Sequence, residues 1–171
     1  IIESQDVHAA MLSVDRGRFL PAENRESAYR DDPMRHGNVH LSAPSIYARA
    51  LEALRLARSH SFLNIGSGTG YLSSIVAELL KGTGVNDGIE TDGALVSMAR
   101  KLAAPSCRFI TGNGLLLSSY KRTYDRVYCG AECPRRLIPR LQSLLKPGGV
   151  LVVPSGNELI RISRTDTGGL G

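Results

Sequence analysis

Apolar positions along the chain switch repeatedly between two spacings. From Pro44 onward, Ile46, Tyr47, Ala50, Leu51 and Leu54 recur three and four residues apart, which places them on one face of a helix. Phe62, Leu63 and Ile65 form a short apolar run that ends in glycines, the pattern of a buried strand. Leu72, Ile75, Val76, Leu79 and Leu80 return to helical spacing, and Gly82 and Gly84 stop it. The alternation continues with a strand over Val85–Glu90, a helix marked by Leu95, Met98, Ala99 and Leu102, and a strand over Cys107–Thr111. A fourth strand covers Tyr124–Gly130. A helix through Leu137, Ile138, Leu141, Leu144 and Leu145, closed by KPGG, leads to a fifth over Val150–Pro154, and Leu159–Ser163 begins a sixth. Upstream, Ile1 to Val39 reads as a short amphipathic start and a polar connector. Strands and helices alternating at this spacing predict an α/β, doubly wound and mostly parallel sheet, with ligands held at the C-terminal ends of its strands.

A chain of 171 residues supports one sizeable core and is too short for two full domains. Within that domain, 1–43 is expected to form an N-terminal helical segment and a loop, and 44–171 the α/β body. Hydrophobic residues at 42% and charged residues at 22% are those of an ordinary globular chain. No apolar run approaches the length of a bilayer span and no leader pattern opens the chain, so no membrane is expected and the location is cytoplasmic or nuclear. The start at Ile1 and the TGGLG tail read as a piece trimmed from something longer. The net charge of +5 is spread over single Lys and Arg residues without a basic block, which argues against a nucleic-acid partner. Of three cysteines, Cys129 and Cys133 lack the spacing of a zinc site, so reduced thiols and no metal are expected.

The candidate chemistry begins at Gly66-Ser67-Gly68-Thr69-Gly70, where the first body strand hands over to a helix. Glycines there allow positive φ and close approach of backbone to a ligand, though a tight turn alone would use them too. A dinucleotide fingerprint needs its third glycine where this chain has Tyr71, and a phosphate-binding P-loop needs a lysine that is absent. Glu90 ends the second strand about twenty residues on. It is either a solvated strand-end carboxylate or, following the glycine loop at this distance, the acceptor for the two hydroxyls of a ribose. Asn113-Gly114, after the third strand, is either an edge for an adenine or a common turn.

FLNIGSGTGY, GIE, TGNG, YDRVYCGA and LLKPGGVLVVPSG together resemble the class I S-adenosylmethionine-dependent methyltransferases, whose sheet is Rossmann-like. With AYRDDP, HLSAP and the VPSG end, the chain from VDRGRFLP at Val14 onward resembles the protein-L-isoaspartate O-methyltransferase family. That resemblance implies S-adenosyl-L-methionine as cofactor and isoaspartyl-containing proteins or peptides as substrates. It places Ser42 at the methyl-accepting carboxylate, with His40 where a threonine is common. Asn64, Gly66, Ser67, Gly68, Gly70, Tyr71, Glu90, Thr91, Asn113 and Gly114 are placed around the cofactor. His40, Ser45, Asn64 and Asn113 depart from the family pattern, and with FLN and YCGA they look more like its isoaspartate O-methyltransferase domain-containing branch. In that branch the fold is joined to a ubiquitin-ligase adaptor region. Neither such a region nor the family's closing strand is visible in this chain, so C-terminal strands are expected to be missing. A cofactor-binding recognition module with little turnover is the alternative to an enzyme.

Several of these residues have plain structural readings as well. Ser42 precedes Ala43-Pro44 and is an excellent helix N-cap. His40 also reads as an ordinary loop histidine, Asp31-Asp32 before Pro33 as a turn, and Cys129 as a strand-end thiol near the ligand. A carboxylate is already ionised at neutral pH, so methyl transfer to it needs position and desolvation and no general base. The chain accordingly shows no nucleophile and base pair.

Overall fold

A computed structural model describes residues 2–116, 122–131, 133–155 and 158–165. Gly156 of the VPSG end and the TGGLG tail lie outside the described residues.

Helix α1 (Gln5–Ser13) begins where Ser4 accepts the Val7 N–H at 3.3 Å. Two 3-10 turns, Arg16–Phe19 and Ala22–Ser27, lead to an antiparallel hairpin of β1 (Met34–His36) and β2 (Val39–Leu41). The expected polar connector is therefore partly a hairpin. Each strand has three residues and only Val39 and Leu41 of β2 are buried, which is too little alternation to register as strand in the sequence.

After the hairpin the predicted alternation holds: α2 (Pro44–Leu54), β3 (Ser61–Ile65), α3 (Tyr71–Leu80), β4 (Val85–Glu90), α4 (Gly93–Leu102), β5 (Cys107–Thr111), β6 (Tyr124–Cys129), α5 (Ile138–Gln142), β7 (Leu145–Ser155) and β8 (Glu158–Ser163). The sheet runs β5-β4-β3-β6-β7-β8, with β8 alone antiparallel. Strand order reverses between β3 and β6, which opens a crevice above the C-terminal end of β3. One boundary moves. The helix expected to run to Leu145 and close at KPGG stops at Gln142, and β7 starts at Leu145, paired with Tyr124. KPGG is a kink inside the strand: Gly148 has φ +72° and the pairing register shifts between Tyr124 and Arg126.

One face of the sheet packs Phe62, Tyr128 and Val152 against α2 and α3, and Val7, Phe19 and Leu20 of the N-terminal segment join the same apolar cluster. The other face packs Leu63, Val127 and Leu151 against Leu141 of α5. Fully buried side chains such as Phe62, Leu54 and Ile75 each contribute about 1.5–3 kcal/mol. Polar groups pin the end of the sheet away from the crevice. The Arg126 guanidinium donates to the carbonyls of Leu54 and Arg55, and Arg161 Nε donates to Ala53 O at 2.9 Å, so the last carbonyls of α2 are satisfied by side chains. Asp125 accepts from Ser61 N at 2.7 Å, from Ser61 Oγ at 2.6 Å and from Lys146 Nζ at 2.7 Å. Partial burial opposes ionisation of Asp125, but these donors outweigh it and hold the carboxyl well below the usual carboxylate range. Asp87, buried in β4, takes a fork from Arg108 at 3.0 and 2.9 Å and the Tyr124 hydroxyl at 2.7 Å.

Candidate functional site

The crevice above β3 is a cavity of about 330 Å³, and two groups of residues meet in it. The first comes from the strand ends of the body. At the end of β3 the Gly66 and Ser67 N–H groups donate to Ile89 O at 2.8 and 3.1 Å, which folds the glycine loop back over β4. Gly66 has φ +74°, and a Cβ there would lie 3.2 Å from Ala131 N, so the loop needs glycine to fit beside the end of β6. Gly66, Ser67, Gly68, Glu90, Thr91, Asn113 and Gly114 all line the cavity, as do Asn64 and Tyr71. Gly70 does not. It is the residue before α3, at φ +87°, where a Cβ would come within 3.0 Å of Ala103 and Phe109, so its part is close packing of α3 on α4 and β5.

The second group comes from the hairpin and α2. Ser42 and His40 line the same cavity, together with Asn38, Tyr47 and Tyr128. β2 passes over the glycine loop, with His40 O 3.7 Å from where a Gly68 Cβ would stand. At the hairpin tip, Asn38 Nδ2 donates to Asp92 Oδ2 at 2.8 Å, which ties the tip to the N-cap of α4. Two of the lining residues, Tyr47 and Tyr128, carry no mark of a site in the sequence. Tyr47 is hidden in the apolar stripe of α2 and Tyr128 in the β6 alternation, so the only sequence signal was a polar tip on an otherwise apolar face.

The structure bears on the plain readings of three of these side chains. Ser42 is not the cap of α2: Ala43 occupies that position, and the Ser45 N–H is taken at 2.8 Å by Asp31 Oδ1. The Asp31-Asp32 turn thus supplies from a distance the acceptor a local serine would have given, and the Ser45 bond holds the Asp31 carboxyl below its usual range. Ser42 lines the cavity wall instead, its N–H donating to Tyr47 Oη at 3.1 Å and its hydroxyl within reach of the Tyr47 and Tyr128 phenols. Glu90 is half-buried and its carboxylate is held by protein donors. Its Oε2 accepts the Gly68 N–H at 2.9 Å, and its Oε1 accepts the Thr91 N–H at 2.7 Å, the Thr91 hydroxyl at 3.1 Å and the Asp92 N–H at 3.2 Å. Asn113 makes a turn in which its Oδ1 accepts the Leu115 N–H at 2.9 Å, so the turn and the cavity wall are one feature.

The electrostatics suit a small polar ligand. Asn64 is 2% exposed; its Nδ2 donates to Ser73 Oγ at 3.0 Å, while its Oδ1 has no partner. Ser67 Oγ is likewise buried and unpartnered. Burial pushes the Tyr71 phenol up to about 12 and moves those of Tyr47 and Tyr128 the same way, so all three stay neutral hydrogen-bonding groups. Desolvation, and then the Arg35 charge across the hairpin, lower the His40 pKa, so His40 is neutral at pH 7. Burial also pushes the Cys129 thiol up to about 12, which leaves it an inert end to β6.

Comparison with known proteins meets this geometry at both loops. The family model for protein-L-isoaspartate(D-aspartate) O-methyltransferase matches residues 1–169. The chain belongs to this family. Protein-L-isoaspartate O-methyltransferase of Methanosarcina mazei is 36% identical over 174 residues, covering 96% of this chain and 70% of that protein. Protein-L-isoaspartate O-methyltransferase 1 of Arabidopsis thaliana is 38% identical over 171 residues, covering 92% of this chain and 73% of its own length. A Plasmodium falciparum crystal structure assigned to the same methyltransferase family, solved in complex with S-adenosyl-L-homocysteine, superposes with a TM-score of 0.76 at 25% identity, covering 99% of this chain and 86% of that one. The mostly parallel sheet with helices on both faces is that of the class I S-adenosylmethionine-dependent methyltransferases in this family.

Proposed function

We propose that the chain is an S-adenosyl-L-methionine-dependent carboxyl O-methyltransferase acting on L-isoaspartyl residues of damaged proteins, a protein-repair role exercised in the cytoplasm. The observation that carries this reading is a single cavity lined on one side by the glycine loop and Glu90 and on the other by Ser42 and the hairpin. A methyl donor and a carboxylate can meet there. The family match supports the activity, and three free cysteines suit a reducing compartment. The adaptor alternative, with its ubiquitin-ligase partners, has no support in the relatives from Methanosarcina mazei and Arabidopsis thaliana, whose names are those of methyltransferases.

The cavity fits the cofactor on its own evidence. The glycine loop is a backbone cradle that a Cβ at Gly66 would crowd, and the buried Oδ1 of Asn64 and Oγ of Ser67 are polar atoms without partners at its wall. In this reading Gly66, Ser67, Gly68 and Tyr71 hold the amino-acid end and Glu90 and Thr91 the ribose, while Asn113 and Gly114 edge the adenine. Gly70 sets the helix behind them. When bound, the cofactor supplies a methyl group on a positively charged sulfur.

Ser42 presents its hydroxyl to the acceptor carboxylate, and His40, neutral at pH 7, lines the approach without adding charge. The chemistry that the cofactor would supply to a carboxylate held there is methyl transfer from sulfur to oxygen, which would turn a carboxylate and a sulfonium into a neutral ester and a neutral thioether. No proton moves, so no base is needed. Loss of both charges is favoured where water is excluded, and the apolar bodies of Tyr47, Tyr71 and Tyr128 exclude it. The test is calorimetry with S-adenosyl-L-methionine and S-adenosyl-L-homocysteine, followed by methyl transfer to matched isoaspartyl and aspartyl peptides. Binding of both ligands and turnover on the isoaspartyl peptide alone are expected; binding of NAD or ATP in their place refutes the reading.

A further inference from the structure

Arg16 is 4% exposed, an unusual place for an arginine, and no carboxylate forms an ion pair with it among the described residues. Its two terminal nitrogens go to two backbone carbonyls. Nη1 donates to Ser42 O at 2.8 Å and Nη2 to Asp32 O at 3.0 Å. Asp32 lies just before β1 and Ser42 just after β2, so one planar guanidinium clamps the two chains at the base of the hairpin. Ser42 is then gripped at both ends of its backbone, its carbonyl by Arg16 and its N–H by Tyr47 Oη, while its hydroxyl sits at the cavity wall within reach of the Tyr47 and Tyr128 phenols. Nε is buried without a partner. A buried cation whose charge is offset only by the more distant Asp31 carboxylate is a costly way to tie down a loop that neutral groups could tie. Its placement behind an anion-accepting site makes sense of that cost.

We propose that Arg16 is the positioning residue of the acceptor site: through the Ser42 carbonyl it fixes where the substrate carboxylate meets the methyl group. The proposal rests on the methyltransferase reading above and adds a residue of the N-terminal segment to it. The fork is what matters, because two carbonyls on two chains are held by two nitrogens in one rigid plane. A lysine keeps the charge and can reach one carbonyl well but not both. Catalytic geometry is sensitive at this scale, since a misplacement of about 1 Å costs on the order of a hundredfold in rate.

The experiment compares the parent chain with Arg16→Lys and Arg16→Met, using an isoaspartyl peptide as acceptor and S-adenosyl-L-homocysteine as the binding probe. For Arg16→Lys we expect a native circular-dichroism spectrum, S-adenosyl-L-homocysteine affinity within about twofold of the parent, and kcat/KM for the peptide lowered roughly ten- to a hundredfold. The KM for the methyl donor should not move. Arg16→Met should lose more than Arg16→Lys; if it fails to fold, the lysine variant decides alone. Asp125→Asn, which destabilises the opposite end of the sheet, controls for a general loss of stability and should leave peptide kcat/KM unchanged. The proposal is overturned if Arg16→Lys keeps peptide kcat/KM within twofold, if cofactor affinity falls in step with it, or if Asp125→Asn loses as much. A parent chain that binds S-adenosyl-L-homocysteine but turns over no isoaspartyl peptide overturns the reading of function first, and this proposal with it.

Discussion

Replacing Glu90 by alanine tests the cofactor half of the site. Four protein donors converge on its carboxylate, three on Oε1 and one, the Gly68 N–H, on Oε2. Each oxygen offers about two lone pairs. Oε1 is therefore full, and Oε2 has room for one more donor, so a ribose diol gains one charge-assisted hydrogen bond from this residue and not two. One such bond is worth about 1.5–3 kcal/mol, so Glu90→Ala should weaken S-adenosyl-L-homocysteine binding roughly ten- to a hundredfold. The same substitution releases the glycine loop and the turn before α4, which should lower the thermal midpoint as well. Glu90→Gln separates the two effects: it keeps one acceptor oxygen but sets an NH2 against backbone N–H groups, and should disturb the loop more than it spares the ligand. Calorimetry on variants shown to be folded reads the affinity. An unchanged affinity for folded Glu90→Ala would remove Glu90 from the ligand site, whatever happens to stability.

Further expectations follow from particular contacts. Because Asp31 and not Ser42 caps α2, Ser42→Ala should change stability by no more than about 0.5 kcal/mol in denaturant titration; a loss near 1 kcal/mol would restore Ser42 as a cap. Ser42→Asp should stay folded and bind S-adenosyl-L-homocysteine but lose isoaspartyl peptide binding, because two negative charges within a few ångströms repel; peptide binding at the parent's affinity would sink the acceptor assignment. Asp125 has its pKa depressed by folding, so its stabilisation is full above about pH 4 and is lost as pH falls further. The slope of stability against pH in acid should be shallower in Asp125→Asn, and equal slopes would refute the linkage. A Cβ on Gly88 would stand 2.5 Å from Phe109 Cδ1 and 2.9 Å from Ser67 Cβ, so Gly88→Ala should cost about 1–3 kcal/mol and weaken cofactor binding; a variant as stable as the parent would show that Phe109 can yield.

The body of the fold was legible because its strands are short apolar runs separated by helices with one apolar face, and both are local patterns. Val85–Glu90 and Cys107–Thr111 have the limits the sequence predicted, whereas β7 starts five residues before its expected Val150 because the strand continues through a kink that reads as a turn. What could not be read locally are the long-range bonds. Asp31 reaches α2 from fourteen residues away, Glu90 reaches Gly68 across twenty-two, and Arg16 reaches Ser42 across twenty-six. Each joins a backbone group to a side chain that looks ordinary in its own neighbourhood. The glycine loop was legible from its own spacing and the resemblance to a known family pointed to Ser42, but neither said anything about what holds Ser42 in place.

The bond between Asn38 and Asp92 bears on how the cavity opens. The hairpin tip meets α4 there through one exposed hydrogen bond, and such a bond is worth about 0.5–1.5 kcal/mol net, close to thermal energy. At that strength the contact of the tip with α4 is broken at little cost, while the buried Val39 and Leu41 keep the rest of β2 in place. Opening the cavity at the tip then requires no unfolding of the sheet, and the turn that meets α4 contains Gly37, whose φ of +54° a glycine holds without strain.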